Sequence, residues 1–349
     1  MTESVTEKSV KEMLEQVLDG HHLSEPESAR LLKALTEPSL APAVAGAVLA
    51  ALRAKGVVAA ELRGFAAAMR ELARKPKVDV DLLHRSIDIV GTGGDASGSV
   101  NISTGTALLV AACGIPVIKH GNRSISSRSG SADVLEALGL PLPLDEQRAG
   151  ECLRATGFSF LFAPHYHPAM KAIAPIRQAL GIRTIFNVLG PLTNPAAPPF
   201  QLVGAYSEPM AKLMAETLAG LPGVTRAFVV HGALGWDEPT TAGPFVLFDV
   251  RPGVVTRSVR SPGDYGMRLC EPAELAGGDA ANNAAALRAV FEGRDVGAHR
   301  DTLLMGAALA LECAGLVTDP KRGVARAAAV IDSGEAKQRL QQLAEFGRG

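Results

Sequence analysis

Aromatic side chains are scarce in this chain, 4% of 349 residues with a single tryptophan, so its core has to be aliphatic. A hydrophobic fraction of 47% supplies that core, and at this length two domains are expected. An excess of charge of one sign is also missing, because 35 basic and 36 acidic residues leave a formal net charge of -1. That balance provides no electrostatic footprint for nucleic acid or for an anionic membrane surface, and leaves only a local basic cleft open. The four cysteines, Cys113, Cys152, Cys270 and Cys313, lie far apart in apolar segments with no CxxC pair. Buried, reduced thiols in a cytoplasmic protein are expected from such usage. No apolar run reaches the roughly 20 residues that a membrane-spanning helix needs, the longest uncharged one being residues 40–52. The N-terminal residues mix Glu, Lys and Asp with apolar positions and show no hydrophobic signal core, so a soluble chain is expected.

Glycine and hydroxyl side chains, by contrast, are concentrated between residues 87 and 139. The apolar run Ile87-Asp88-Ile89-Val90 reads as a short buried strand and breaks at once into Gly91-Thr92-Gly93-Gly94-Asp95. Glycines there allow tight turns and let backbone N–H groups converge on an anion. Asn101-Ile102-Ser103-Thr104 leads into apolar residues 107–113, which places Ser103 or Thr104 at a helix N-cap and adds the partial positive charge of a helix N-terminus. A second strand, Pro116-Val117-Ile118, delivers Lys119-His120-Gly121-Asn122-Arg123, and Ser126, Ser127, Arg128, Ser129, Gly130 and Ser131 follow. Arginine suits bidentate phosphate contact, lysine acts as a point charge, and serines donate to the remaining oxygens. Residues 133–138 read as a short helix with a capping box at Asp133 and Glu136.

Two other glycine motifs fit less well. Gly91-x-Gly93-x-x-Ala96 matches part of a dinucleotide fingerprint, but the second strand ends at Lys119 where that motif wants an acid for a ribose hydroxyl. No Gly-Lys-Ser/Thr follows the glycines, so there is no Walker A loop. A phosphate cradle is the reading that also accounts for the Lys/Asn/Arg/Ser cluster.

Around this stretch the chain divides in two. Residues 1–73 read as four short helices, with the amphipathic stripe Val10, Met13, Leu14, Val17 and Leu18, a capping box at Ser24 and Glu27, and an alanine-rich run over 42–54. They are expected to form core or a subunit interface and carry no obvious chemistry. From Ile87 the alternation of strand, loop and helix predicts an α/β sheet with ligands at the C-terminal ends of its strands. Strands are expected at 158–162, 202–206 and 228–230, a hairpin over 245–258, and helices at 146–156, 170–180, 209–221 and through most of 280–346. His165-Tyr166-His167-Pro168 precedes the 170–180 helix, whose basic residues are Lys171 and Arg177, and the polar, turn-rich segment 187–195 after it suits a hinge. Past the 228–230 strand, Asp237 and Glu238 make a plausible site for Mg²⁺, a hard cation that takes oxygen ligands and bridges substrate phosphates.

Taken together, Gly91-Thr92-Gly93-Gly94-Asp95, Asn101-Ile102-Ser103-Thr104, Lys119-His120-Gly121-Asn122-Arg123, Ser129-Gly130-Ser131-Ala132-Asp133, His167-Pro168-Ala169-Met170-Lys171, Gly190-Pro191-Leu192-Thr193-Asn194-Pro195 and Asp237-Glu238 resemble the anthranilate phosphoribosyltransferase family over nearly the whole chain. The resemblance implies an α/β fold of the nucleoside phosphorylase and phosphoribosyltransferase type. A small helical domain (1–73 plus about 164–189) would be hinged to a larger one (74–163 plus 190–349) with a mostly parallel sheet. It implies a homodimer through the helical domain, transfer of phosphoribosyl from 5-phosphoribosyl 1-pyrophosphate to the amine of anthranilate in tryptophan biosynthesis, and one or two Mg²⁺ ions per subunit. Gly91, Thr92, Gly93, Gly94, Asp95, Asn101, Ser103, Thr104, Lys119, Asn122 and Ser131 would hold the phosphoribosyl donor. Gly91, His120, Asn122, His167 and Arg177 would line the anthranilate route, and Ser103, Asp237 and Glu238 would hold the metal. Leu234, Trp236, Pro239, Asn282 and Gly306 depart from the family pattern. A pyrimidine nucleoside phosphorylase and a non-catalytic nucleic-acid-binding relative share the architecture. The Lys119 to Arg123 motif and the Asp237-Glu238 pair argue against the first, and the charge balance with both acids intact against the second.

Overall fold

Four amphipathic helices lead the chain in the computed structural model, which describes residues 7–95, 97–124 and 128–348. Ala96, Ser126 and Ser127, named above, lie outside the described residues. Helix α1 spans Glu7–Leu18, α2 Glu25–Leu35, α3 Pro42–Lys55 and α4 Ala59–Leu72. The capping box at the start of α2 forms as read, Ser24 N donating to Glu27 Oε2 at 2.8 Å and Glu27 N to Ser24 Oγ at 3.4 Å. Helices α2 and α4 touch backbone to backbone, because a Cβ on Gly64 would lie 2.2 Å from the Glu25 carbonyl oxygen. Between α3 and α4 a buried ion pair joins Lys55 Nζ to Glu61 Oε1 at 2.9 Å, and Glu61 also accepts from Leu23 N at 2.9 Å and Val58 N at 3.1 Å.

After the single turn α5 (Val80–Leu83) come β1 (Ile87–Gly91), α6 (Ile102–Ala112), β2 (Val117–Gly121), α7 (Ser131–Ala137), α8 (Glu146–Thr156) and β3 (Phe158–Phe162). The turn α9 (Ala163–Tyr166), α10 (Met170–Leu180) and α11 (Phe186–Leu189) precede β4 (Phe200–Gly204), α12 (Glu208–Gly220) and β5 (Arg226–His231). The hairpin β6 (Phe245–Arg251) and β7 (Val254–Arg260) is followed by α13 (Ala280–Phe291), α14 (Ala298–Cys313), α15 (Pro320–Asp332) and α16 (Glu335–Arg348). The strands form one sheet in the order β3-β2-β1-β4-β5-β6-β7, with β1 to β5 parallel and β6 and β7 antiparallel.

A parallel sheet is covered on both faces, and the strands alternate accordingly. Ile87, Ile89, Leu202, Phe228 and Val230 share one core with α6 and α14, whereas Val203, Ala205, Val229 and Phe248 share a second with α12 and the buried faces of α1 to α4. Ile173 of α10, Ile185 and Phe186 join that second core, so the N-terminal helices and the 164–189 region pack together. Among the described residues no helix is long and apolar enough to cross a membrane. All four cysteines are free, and Cys270 alone is partly exposed.

Several local expectations are corrected. Helix α6 starts at Ile102 with Asn101 at its cap and no side-chain cap bond, and the N–H of Ser103 is taken instead by Glu238, which is remote in sequence. Asp133 does not begin a helix but lies inside α7, accepting from Gly130 N at 2.9 Å and Ser124 N at 3.1 Å. That leaves Glu136 for Arg123. Segment 187–195, polar and turn-rich by sequence, is mostly helical turn and largely buried, and Asn194 Nδ2 donates to Asp88 Oδ2 and to Ile118 O, each at 2.8 Å.

Candidate active site

The chain runs from β1 outward through β2 to β3, then returns to the other side of β1 with β4, so the strand order reverses between β1 and β4. Open α/β sheets place a ligand crevice outside the strand ends at such a point. Here those ends are Gly91 and Gly204, partners in register, and the loop after β5 folds across them. A Cβ on Gly204 would lie 1.5 Å from the Asp237 carbonyl oxygen, one on Gly91 2.3 Å from Asp237 Oδ2, and one on Gly232 2.0 Å from the Glu238 carbonyl oxygen. Three strand-end glycines thus form the shelf on which Asp237 and Glu238 rest.

From that shelf the acids reach two sets of backbone donors. Asp237 Oδ2 accepts from Gly93 N at 2.6 Å, and Glu238 Oε1 accepts from Ser103 N at 3.1 Å in the first turn of α6. Gly93 and Gly94 adopt φ of 70° and 77°, which bends the loop back over β1. Thr92 N donates to Gly204 O at 3.0 Å, while Asp95 accepts from Ser97 N at 3.2 Å and from Asp237 N at 3.4 Å. Lys119 is fully buried beneath, its ammonium donating to the Ile89 carbonyl and, at 3.3 Å, to Ser103 Oγ. Burial lowers its pKa against the pull of Asp88, Glu238 and Asp237. Burial, and then the neighbouring acids, push Asp237 and Glu238 well above the usual carboxylate range. Ser131 opens α7 with its Oγ 3.4 Å from where a Cβ on Gly121 would sit, and the Thr104 hydroxyl is buried with no hydrogen-bond partner among the described residues.

Other expected residues are placed differently. Arg123, counted among the phosphate-binding cations, is committed to α7 instead, its guanidinium donating to Glu136 Oε1 at 2.7 Å and Asp133 Oδ1 at 3.0 Å. Asn122 is exposed, with its Oδ1 accepting from Arg123 N at 2.8 Å. His120 and His167 do meet, their rings edge to face with centroids 5.0 Å apart. Burial holds both imidazoles neutral, lowering His120 to about 3 and His167 to about 4. Arg177, on α10, stacks 5.3 Å over Phe186 and forms no ion pair among the described residues.

Residues 83–337 match the model of the glycosyl transferase family, a/b domain, and residues 11–73 that of the glycosyl transferase family, helical bundle domain. The anthranilate phosphoribosyltransferase of Pelotomaculum thermopropionicum is 45% identical over 97% of this chain and 96% of its own length. The chain belongs to the anthranilate phosphoribosyltransferase family. Among solved structures, the anthranilate phosphoribosyltransferase of Thermus thermophilus superposes with a TM-score of 0.88 at 40% identity, covering 96% of this chain and 99% of the other. That of Saccharomyces cerevisiae in complex with PRPP and Mg gives 0.88 at 25% identity, covering 99% of both chains.

Within this member of the anthranilate phosphoribosyltransferase family, the donor set suits a hard divalent cation: the buried Asp237 carboxylate, the half-buried Glu238 carboxylate and a serine hydroxyl, all oxygen. No group of three or more His, Cys, Asp or Glu able to hold a metal alone occurs among the described residues. Mg²⁺ fits that arrangement, since it binds through one or two carboxylates and completes its shell with water and substrate phosphates. Sequence reasoning missed Gly204 and Gly232, whose signal was a small residue at the end of each neighbouring strand. It also missed Arg183, which donates to Gly94 O at 2.8 Å and stacks 5.0 Å over Tyr206. Of the departures, Leu234 is exposed and adopts the left-handed φ of 63°, Trp236 is buried, and Gly306 faces Thr106, whose Oγ1 would be 2.7 Å from an added Cβ.

Proposed function

We propose that this chain transfers the phosphoribosyl group of 5-phosphoribosyl 1-pyrophosphate to the amine of anthranilate, releasing pyrophosphate, as a cytoplasmic, Mg²⁺-dependent homodimer in tryptophan biosynthesis. The observation that carries this reading is the Asp237-Glu238 loop laid over the β1/β4 crevice beside the glycine loop and the first turn of α6. Gly91 to Asp95, Asn101, Ser103, Thr104, Lys119, Asn122 and Ser131 form the donor side, and Gly91, His120, Asn122, His167 and Arg177 the acceptor side.

Breaking the bond from the anomeric carbon to pyrophosphate leaves negative charge on the leaving group and positive charge on the ribose. The glycine-loop N–H of Gly93 and the α6 N-terminal N–H of Ser103 already hold anionic oxygens, those of Asp237 and Glu238, and drawing the two acids onto Mg²⁺ would free these donors for the leaving pyrophosphate. Held by Asp237, Glu238 and Ser103, Mg²⁺ would supply the further positive charge that the leaving pyrophosphate needs. The arylamine arrives neutral with a usable lone pair, so its nitrogen forms the new bond to the anomeric carbon and then loses a proton without a strong base. His120 and His167, both neutral, add no charge that would oppose the cationic ribose. Arg177 stacks on Phe186, has no carboxylate partner among the described residues, and would pair with the carboxylate of anthranilate.

Closure of the helical body (1–73 plus 164–189) on the α/β body would align the amine and exclude water. Arg183 supports that coupling, as it joins the segment after α10 to the glycine loop. For the dimer, α3 and α10 leave an apolar groove of about 770 Å³ lined by Leu40, Ala43, Ala47, Ala50, Ile176 and Leu180. The test is Mg²⁺-dependent loss of anthranilate fluorescence on adding the donor, with pyrophosphate release followed in parallel. Both signals, abolished by chelator, are expected. Pyrophosphate without loss of anthranilate would overturn the acceptor.

A further inference from the structure

The segment after the β6-β7 hairpin returns to the donor side and has no role so far. Ala276 forms an isolated antiparallel bridge with Ser99, Val100 N donates to Leu275 O at 3.0 Å, and Gly277 N donates to Gly98 O at 2.8 Å. A Cβ on Gly277 would lie 2.5 Å from the Ser99 carbonyl oxygen, so this contact requires glycine. The splice sets the first turn of α13 against the loop before α6. There Asn283, only 3% exposed, accepts from Gly278 N through Oδ1 at 2.7 Å and donates through Nδ2 to Asn101 Oδ1 at 2.7 Å. Asn101 Nδ2 in turn donates to Ser129 O at 3.2 Å.

Both ends of this chain of bonds have fixed polarity, because a backbone N–H only donates and a carbonyl only accepts. The Gly278 N–H forces Asn283 to turn its oxygen toward Gly278 and its NH₂ toward Asn101. Asn101 must then present its oxygen to Asn283 and its NH₂ toward Ser129. One Nδ2 hydrogen of Asn101 goes to the Ser129 carbonyl, and a contact to the phosphoribosyl donor would fall to the other.

We infer that Asn283 is a positioning residue for the phosphoribosyl donor, acting through Asn101 and holding the turn before α7 against the loop before α6. This rests on the function proposed above. Asn283 is buried behind Asn101 and acts by fixing which way the Asn101 amide faces. An Asn283→Asp change keeps the shape but puts an acceptor against Asn101 Oδ1. Flipping Asn101 to relieve that contact would set its oxygen against the Ser129 carbonyl, so one link fails either way.

The test compares wild type, Asn283→Asp, Asn283→Ala, Asn101→Ala and the Asn101→Ala/Asn283→Ala double variant in Mg²⁺. It measures KM for each substrate, kcat, calorimetric affinity for phosphoribosyl pyrophosphate, and Tm. The loss of one buried hydrogen bond should raise KM and Kd for the donor about tenfold in each Asn283 variant, with KM for anthranilate within about twofold of wild type. In the Asn101→Ala background the second substitution should change donor KM by less than about twofold, because the path is already cut. Additive effects, equal changes in both KM values, or a fall in Tm with unchanged donor affinity would overturn the inference. If Asn283→Ala does not fold, the isosteric Asn283→Asp carries the comparison. Wild-type turnover separates the two failures: without it the proposed function falls and takes this inference with it, whereas active wild type with unaffected variants removes only the role of Asn283.

Discussion

Asp237 and Glu238 are costly residues to bury. Each sits at a strand end with its carboxylate held by one backbone N–H, and both are pushed above the usual carboxylate range by burial and then by a neighbouring acid, Asp95 for Asp237 and Asp237 for Glu238. An acid raised in the folded state contributes stability that is present below its ordinary pKa and lost as pH rises through the folded value. Metal-free protein should therefore lose stability as pH rises from the ordinary carboxylate range through neutrality. The Asp237→Asn/Glu238→Gln variant should lose that slope, melting higher than wild type at pH 8 without metal, while its turnover falls by more than about a thousandfold. Calorimetric melts and steady-state assays check the two halves separately, and near-normal turnover would remove the metal assignment. Arg177→Ala should raise KM for anthranilate about ten- to a hundredfold, the loss of one charge-assisted bond, with kcat little changed. The opposite sign applies to His120 and His167, held to about 3 and about 4 against an ordinary 6.5. Their contribution is complete above pH 6.5 and lost as pH falls toward 4, at up to about 1.4 kcal/mol per pH unit for each ring. Asp88, raised to about 6 by burial, opposes them by one proton. Urea unfolding at pH 7.5 and 5 should show a smaller acid loss in His120→Gln/His167→Gln than in wild type.

Secondary-structure elements were read well where one periodicity ruled. Helix α8 and strand β3 were expected at their observed limits, and the α2 capping box formed as written, because each is specified by residues three or four apart. Expectations failed where the partner came from elsewhere in the chain: a Ser or Thr cap for α6 was plausible locally, yet Glu238 took the Ser103 N–H. The 187–195 segment is polar and turn-rich in sequence, which suits a hinge, yet Asn194 is buried because Asp88 and the Ile118 carbonyl satisfy its amide. The stripes of the first four helices point to core or a subunit interface, and periodicity carries no signal for the buried Lys55-Glu61 pair. Glu61 joins Lys55, Leu23 N and Val58 N, so Glu61→Ala would leave two backbone donors unpaired and the buried Lys55 ammonium without a counter-charge, with Gly56 O and His22 Nδ1 as its remaining partners. A loss of about 3–5 kcal/mol is expected in chemical denaturation, with the donor KM unaffected in the fraction that folds.

At the scale of the molecule, two cores on the two faces of one sheet set the N-terminal helices and the 164–189 segment against β4 and β5, leaving the groove between α3 and α10 open. If that groove is the subunit contact, Ala47→Glu, an exposed position on α3, should shift the protein from dimer to monomer in light scattering while Tm falls only slightly. An unchanged dimer would move the interface elsewhere. The sequence by itself determined the fold class, the succession of strands and helices, the glycine-rich turn after β1 and the acidic pair, because hydrophobic period, turn chemistry and short motifs are local properties. Only the tertiary structure decided that Arg123 serves α7 rather than phosphate, that Gly91, Gly204 and Gly232 together make room for the acids, and that Asn283 orients Asn101. Those outcomes depend on which atoms the sheet order brings within about 3 Å of one another, and residues from β1, β4, β5 and α13 carry no mutual signal until the chain has folded.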